Sequence, residues 1–192
     1  MIRPIFLFGQ PVLRKVAQPI DASYPQFEHL VQDMFDTMYH AGGVGLAAPQ
    51  IGLDIRLFIV DGAPFQERKG NTEDMLQFKK VFINPEIVEE WGDKWGFEEG
   101  CLSIPDLRDT VMRHAELRLR YLDEHFQPQE AVFKGLQARI IQHEYDHLNG
   151  VLFFDHLSPL KRQLLKGKLN RIARGEVEPD YPYQAQNRGN KR

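Results

Sequence analysis

His143-Glu144-Tyr145-Asp146-His147 constrains this chain more than any other stretch of it. Two imidazoles four residues apart stack on one face of a helix, where both can reach one metal ion, and the glutamate beside them stands near an ion-bound water. Helical spacing runs from Gly135 to Asn149, and Leu136 and Ile140 put the histidine face inward, with Gly150 placed to end the helix. The fold must therefore bury a polar face, and buried ring nitrogens need partners. A divalent metal ion supplies them, with Glu144 free to move protons.

Two histidines leave a catalytic site one protein ligand short. A third histidine six residues past the second is ruled out, because position 153 is Phe. Glu176 and Glu178 fall where a frayed tail is expected. His156 is nearer, but the Phe153-Phe154 run before it reads as strand and leaves its direction open. Cys101 is the only cysteine, so an internal disulfide is excluded. It sits in Glu99-Gly100-Cys101-Leu102-Ser103, where glycine allows close backbone approach and a thiolate is a soft ligand. A single cysteine taken alone is more often a small buried hydrophobe. The helix's need for a third ligand is what raises Cys101 above that reading.

Elsewhere the pattern predicts a helix over roughly 24–40, from a start at Ser23, Pro25 and Gln26 along Phe27, Leu30, Met34 and Met38. Residues 41–50 carry three glycines in four positions and read as loop or edge backbone. Ile55–Val60, Val81–Val88 (limited by Pro85 to an edge or irregular position) and a hairpin through 115–133 read as strands. Residues 62–80 read as an exposed polar excursion, and 86–109, with eight acids against Lys94 and Arg108, as a solvated acidic face. A last helix from Ser158-Pro159 to near Gly175 bears six bases and no acid, and 176–192 reads as a flexible tail.

Three stretches stand in a fixed order: Gly43-Val44-Gly45-Leu46-Ala47-Ala48-Pro49-Gln50, Glu99-Gly100-Cys101-Leu102-Ser103 and His143-Glu144-Tyr145-Asp146-His147. In sequence and spacing they closely resemble the peptide deformylases of bacterial type. The likeness extends to Gly9-Gln10-Pro11-Val12-Leu13-Arg14 and Gly150-Val151-Leu152-Phe153.

The resemblance implies a hydrolase that removes the formyl group from the N-terminal formylmethionine of new proteins and releases formate. It implies that Cys101, His143 and His147 hold one divalent ion, Fe2+ by family, with Zn2+, Ni2+ or Co2+ as alternatives. Glu144 would act as general base and acid, and the Gln50 amide and Leu102 N–H would donate to the developing oxyanion. Gly45 would offer backbone to an extended peptide. Val44, Phe97, Leu136, Ile140 and the stem of Arg139 would line the methionine pocket. For Glu99 and Arg108, substrate contact and simple pairing with neighbours stand equal.

Elements and resemblance together imply an α+β domain over 1–175, with antiparallel or mixed sheets packed around a central helix carrying the two histidines. At 192 residues, 42% hydrophobic and 27% charged, the chain should fold unaided as one domain. A net charge of −3 gives no global reason for DNA or membrane binding. The run Ile5–Phe8 is too short and broken for a signal peptide or span, so cytoplasmic residence is expected. The basic 157–175 segment is expected to be a solvated face, with docking on ribosomal RNA as the alternative. The rival functions are a small endopeptidase on the same helix and a metal-stabilised binding protein without turnover. Cys101 in place of a downstream ligand argues against the first, and Glu144 beside an open coordination position against the second.

Overall fold

A computed structural model describes residues 1–66, 75–186 and 188–191, the last four by backbone alone. Five strands form an antiparallel sheet: Gly45–Ala47 (β2), Leu57–Asp61 (β3), Lys79–Cys101 (β4), Ile104–Leu122 (β5) and Pro128–Lys134 (β6), paired in that order. A second, mixed sheet joins Ile5–Phe6 (β1) in parallel to Tyr183–Ala185 (β7), which pairs antiparallel with Arg188–Lys191 (β8). Among the described residues three α-helices, Phe27–His40 (α1), Gly135–Leu148 (α2) and Pro159–Ala173 (α3), complete an α+β fold.

The strand β3 explains how the layers assemble. Its five residues are all buried, and Leu57–Val60 form a continuous apolar run, as covered surfaces on both sides demand. Phe58 and Val60 pack in one cluster with Leu136, Ile140 and Ile141 of α2. Leu57 and Ile59 point the other way, into a cluster with Leu30, Met34 and Met38 of α1. Each such side chain stabilises the fold by roughly 1.5–3 kcal/mol through removal from water, so the α1–sheet–α2 layering follows from alternation along one short strand. Gly150 ends α2 with φ +70, and a Cβ there would meet the Arg14 carbonyl carbon at 2.7 Å, so glycine is required for conformation and for space.

Several expectations are corrected. Helix α1 begins at Phe27 because the Ser23 hydroxyl and N–H both bond Asp21, forming a local turn ahead of the helix. Strand β4 runs well past the expected Val81–Val88, while Pro85 falls at an irregular position as expected: the ladder shifts register between Ile83 and Glu86, so no paired N–H is withdrawn. Phe153–His156 is a 3-10 turn, since the Asp155 carboxylate accepts the Leu152 N–H. Of the excursion over 62–80, residues 67–74 lie outside the described residues, but Phe65, Met75 and Phe78 beside them are buried in the core. The acidic stretch belongs to a long β4–β5 hairpin and six of its eight acids face solvent as expected, but Glu99 is buried. The tail is not frayed where it is described: Tyr183 and Ala185 are buried against β1.

Helix α3 is capped by the Ser158 hydroxyl, which accepts the Lys161 N–H. Of its bases, Lys161 pairs with Asp109, Lys168 donates to the Asp106 carbonyl, and Arg171 pairs with Glu176. Arg174, just beyond the helix, pairs with Glu176 as well. Leu160 and Leu164 are exposed beside them. Among the described residues no helix is long and apolar enough to cross a membrane.

Candidate active site

Three side chains from two elements converge on one point. Cys101 ends β4, and His143 and His147 come from successive turns of α2. Their ligand atoms all lie within 4.8 Å of one another, with Cys101 Sγ 3.3 Å from His147 Nε2. Burial holds the His147 ring well below the ordinary histidine range, so its ring stays neutral and able to ligate. Glu144 is 4% exposed, and its burial pushes the carboxyl up to about 7. Glu144 Oε2 and His147 Nδ1 are buried without a hydrogen-bond partner among the described residues. Unpaired polar atoms of this kind are costly, and a thiolate–imidazole trio beside them fits a soft to borderline divalent ion such as Fe2+ or Zn2+.

His143 is oriented from behind. Its Nδ1 lies 2.9 Å from Glu99 Oε2, which leaves Nε2 for a ligand. Glu99 accepts three further bonds, from Arg113 Nε at 2.7 Å, Arg113 Nη2 at 3.0 Å and Arg139 Nη1 at 2.8 Å. Burial alone would raise its carboxyl, but the bonds from His143 and Arg113 outweigh this and hold it well below the usual carboxylate range. Glu99 is therefore saturated by neighbours. Arg113 continues the network to Asp146 at 2.7 Å, and Asp146 accepts from His156 Nε2 at 2.7 Å. His156 thus faces this network and not Cys101.

Gln50 sits in a 3-10 turn after β2 and is 2% exposed. Its Oε1 accepts the Ala47 N–H at 2.8 Å, which turns the NH2 end toward Cys101 Sγ, 3.5 Å away, and Ser103 Oγ, 3.3 Å away. Gly45 lies against the glutamate: a Cβ built on it would clash with Glu144 Oε1 and come 2.8 Å from Glu144 Cδ. Gly45→Ala is therefore expected to displace the carboxylate and lower turnover by roughly 10²-fold, the size of effect that a misplacement of about 1 Å produces, with metal content unchanged. Unaltered kcat in that variant would show that the contact does not matter.

Gly45, Gln50, Glu99, Cys101, His143 and Glu144 border one cavity of about 760 Å³. Val44, Phe97, Leu136 and Ile140 give it an apolar wall, and the exposed Arg108 borders it as well. Arg139 is 3% exposed, with its guanidinium 4.5 Å from the Trp95 ring centroid and donating to the Trp95 carbonyl. The structure thus brings together the trio, Glu144, Gln50, Leu102 and Gly45, and sets Glu99 behind His143. Sequence reading missed Arg113, although extending the 115–121 alternation back one step puts it in the inward row with Val111 and Leu117. It set Glu178 aside as tail and missed Tyr181, and both border the cavity from a segment with no periodic signal.

An α+β domain with a peptide-sized cleft, a thiolate–imidazole trio and a buried glutamate is a hydrolase with a candidate metal site. The family model for polypeptide deformylase matches residues 2–163. Curated peptide deformylases are similar along nearly the whole chain. That of Christiangramia forsetii is 49% identical over 185 residues, covering 94% of each chain, and that of Cytophaga hutchinsonii 50% over 181, covering 94% and 96%. A crystal structure of a peptide deformylase from Legionella pneumophila superposes with a TM-score of 0.78 at 43% identity, covering 92% of this chain and 98% of that one. The chain belongs to the peptide deformylase family, hydrolases that act on N-formyl-methionine peptides.

Proposed function

We propose that this chain removes the formyl group of N-formylmethionyl nascent polypeptides in the cytoplasm, using one divalent ion held by Cys101, His143 and His147, with Fe2+ as the ion in cells. The observation that carries this reading is the clustering of the trio's ligand atoms within 4.8 Å of one another, two of them on the same helix as Glu144, whose Oε2 is buried with no partner among the described residues. When bound, such an ion supplies Lewis-acid polarisation of the formyl carbonyl and acidifies water. On this reading α2 is the central helix of the domain.

The protein's own groups do the rest. Strand β2 is an edge of its sheet, so an extended peptide can join it as a further strand, read through main chain. The methionine side chain enters the apolar wall of Val44, Phe97, Leu136 and Ile140, with the Arg139 stem behind. Glu144 takes a proton from the attacking water and returns it to the leaving amine. A carboxyl pushed up to about 7 by burial can hold that proton and give it back near neutral pH. The Gln50 NH2, aimed by Ala47, and the Leu102 N–H donate to the oxygen of the tetrahedral carbon. Addition of water and departure of the amine leave formate and a free N-terminus. Glu99, Arg113 and Asp146 orient His143.

Selectivity for formyl follows from crowding. The formyl carbon bears only hydrogen, whereas an acetyl methyl must be accommodated between Gln50, Leu102 and the metal ligands. The metal ligands cannot yield without losing the ion, so discrimination should exceed the ~1–3 kcal/mol of a flexible hydrophobic pocket. Matched formyl-Met, acetyl-Met and unblocked peptides, followed by mass spectrometry with anaerobically purified protein, test this. Formate release from the first alone is expected. Comparable rates on the acetyl peptide, or internal fragments ahead of formate, would establish an endopeptidase instead.

A further inference from the structure

We infer that Tyr181 is a positioning residue for Leu102, delivered to the active site by a C-terminal segment outside the region that the family model matches. The inference rests on the deformylase reading, in which the Leu102 N–H serves the oxyanion. Tyr181 Oη donates to the Leu102 carbonyl at 2.7 Å. Glu178, Pro179, Asp180 and Tyr181 border the same cavity as Gln50, Cys101 and Glu144. The segment is therefore part of the cleft and not an appendage beyond it.

The geometry explains why one hydroxyl matters there. Cys101 pairs with Ile104, so Leu102 and Ser103 alone make the turn between β4 and β5. In a two-residue turn the peptide planes are coupled, and fixing the Leu102 carbonyl constrains the preceding plane that carries the Leu102 N–H. Ser103 is held separately: its Oγ lies 3.3 Å from Gln50 Nε2, and its carbonyl accepts the Phe8 N–H at 2.8 Å. Tyr181 supplies the remaining restraint. Burial holds its phenol well above the usual range, so the donor proton persists at working pH.

A rival role is that this bond merely anchors the C-terminal segment, yet that segment has its own anchors. The Ile5 N–H donates to the Pro182 carbonyl at 2.8 Å and the Leu7 N–H to the Gln184 carbonyl at 2.9 Å. The Tyr183 hydroxyl donates to the Val177 carbonyl at 3.0 Å, inside the segment itself. Tyr183→Phe is thus a matched control, because it removes a tyrosine hydroxyl bond nearby without touching Leu102.

The test compares Tyr181→Phe, Tyr183→Phe and wild type as full chains. For Tyr181→Phe the expected result is a kcat roughly tenfold lower, short of the 10²–10³-fold of removing an oxyanion donor outright. KM should stay within about twofold, metal content should be unchanged, and Tyr183→Phe should match wild type. In the metal-free proteins, amide exchange over 101–105 should quicken in Tyr181→Phe alone, with 183–185 unaffected. A Tyr181→Phe chain with wild-type kcat and exchange would overturn the inference. So would one that unfolds, or that loosens 183–185 equally, since the hydroxyl would then be a structural anchor. Wild type that releases no formate would sink the deformylase reading alone, because exchange over 101–105 still reports on Tyr181.

Discussion

Glu144→Gln is expected to lower kcat on a formyl-methionyl peptide by roughly 10²–10⁴-fold, the loss typical of a general base, with metal content near wild type. Glutamine keeps the shape of the side chain beside Gly45 but can neither accept nor return a proton. Stability should move the other way. Burial raises the Glu144 carboxyl to about 7 in the folded protein, above its unfolded value of about 4.3. A carboxyl raised on folding costs stability that is absent below the unfolded value and accrues as pH rises toward the folded one. Metal-free Glu144→Gln should therefore melt no lower than metal-free wild type at pH 4, and its advantage should grow up to pH 7. Turnover within about tenfold of wild type would remove Glu144 from the proton transfers. A melting difference that shrank from pH 4 to pH 7 would contradict its burial as a strained acid.

Much of the site was legible because its chemistry is local in sequence. His143, Glu144 and His147 share one helical stretch whose apolar face declares which side is inward, and Cys101 was reached by elimination. The roles of Gln50 and Leu102 were not legible from pattern and came through resemblance. What aims the Gln50 amide is a bond from the Ala47 N–H across a 3-10 turn, and no periodicity encodes that. Glu99 was undecided for a related reason. Its four hydrogen bonds come from β5 and α2, far along the chain, and an alternating strand shows only that a residue points inward, not what it meets. Strands β4 and β5 were read too short because exposed charges on one face broke the apolar signal, while pairing across the hairpin sustained the extended backbone. The stretch after 176 was read as tail because a three-residue strand carries no pattern. Its order comes from pairing with β1 at the other end of the chain.

Cys101→Ala is expected to strip the protein of metal and abolish turnover together. If Cys101 were only a small hydrophobe, alanine would be a mild change, leaving folding, metal content and rate close to wild type. The trio argues otherwise, since the sulfur stands 3.3 Å from His147 Nε2 and the Gln50 NH2 points at it from 3.5 Å. Loss of an outer partner of a metal ligand costs 10–100-fold in affinity, so loss of a ligand should cost more than about 100-fold. With two imidazoles left, the ion should be lost on desalting. Cys101→Asp, which restores an anionic ligand of harder character, should recover metal but favour different ions from the thiolate. Elemental analysis of anaerobically purified wild type, Cys101→Ala and Cys101→Asp separates these cases, and iron is the expected metal in wild type. Iron beside a thiolate is open to oxidation, so wild-type activity should decay in air and be protected by exchange to Ni2+ or Co2+. Zinc as the resident metal, with activity that survives indefinitely in air, would dismiss iron while leaving the ligand trio intact. A full equivalent of metal with normal turnover in Cys101→Ala would dismiss the trio itself.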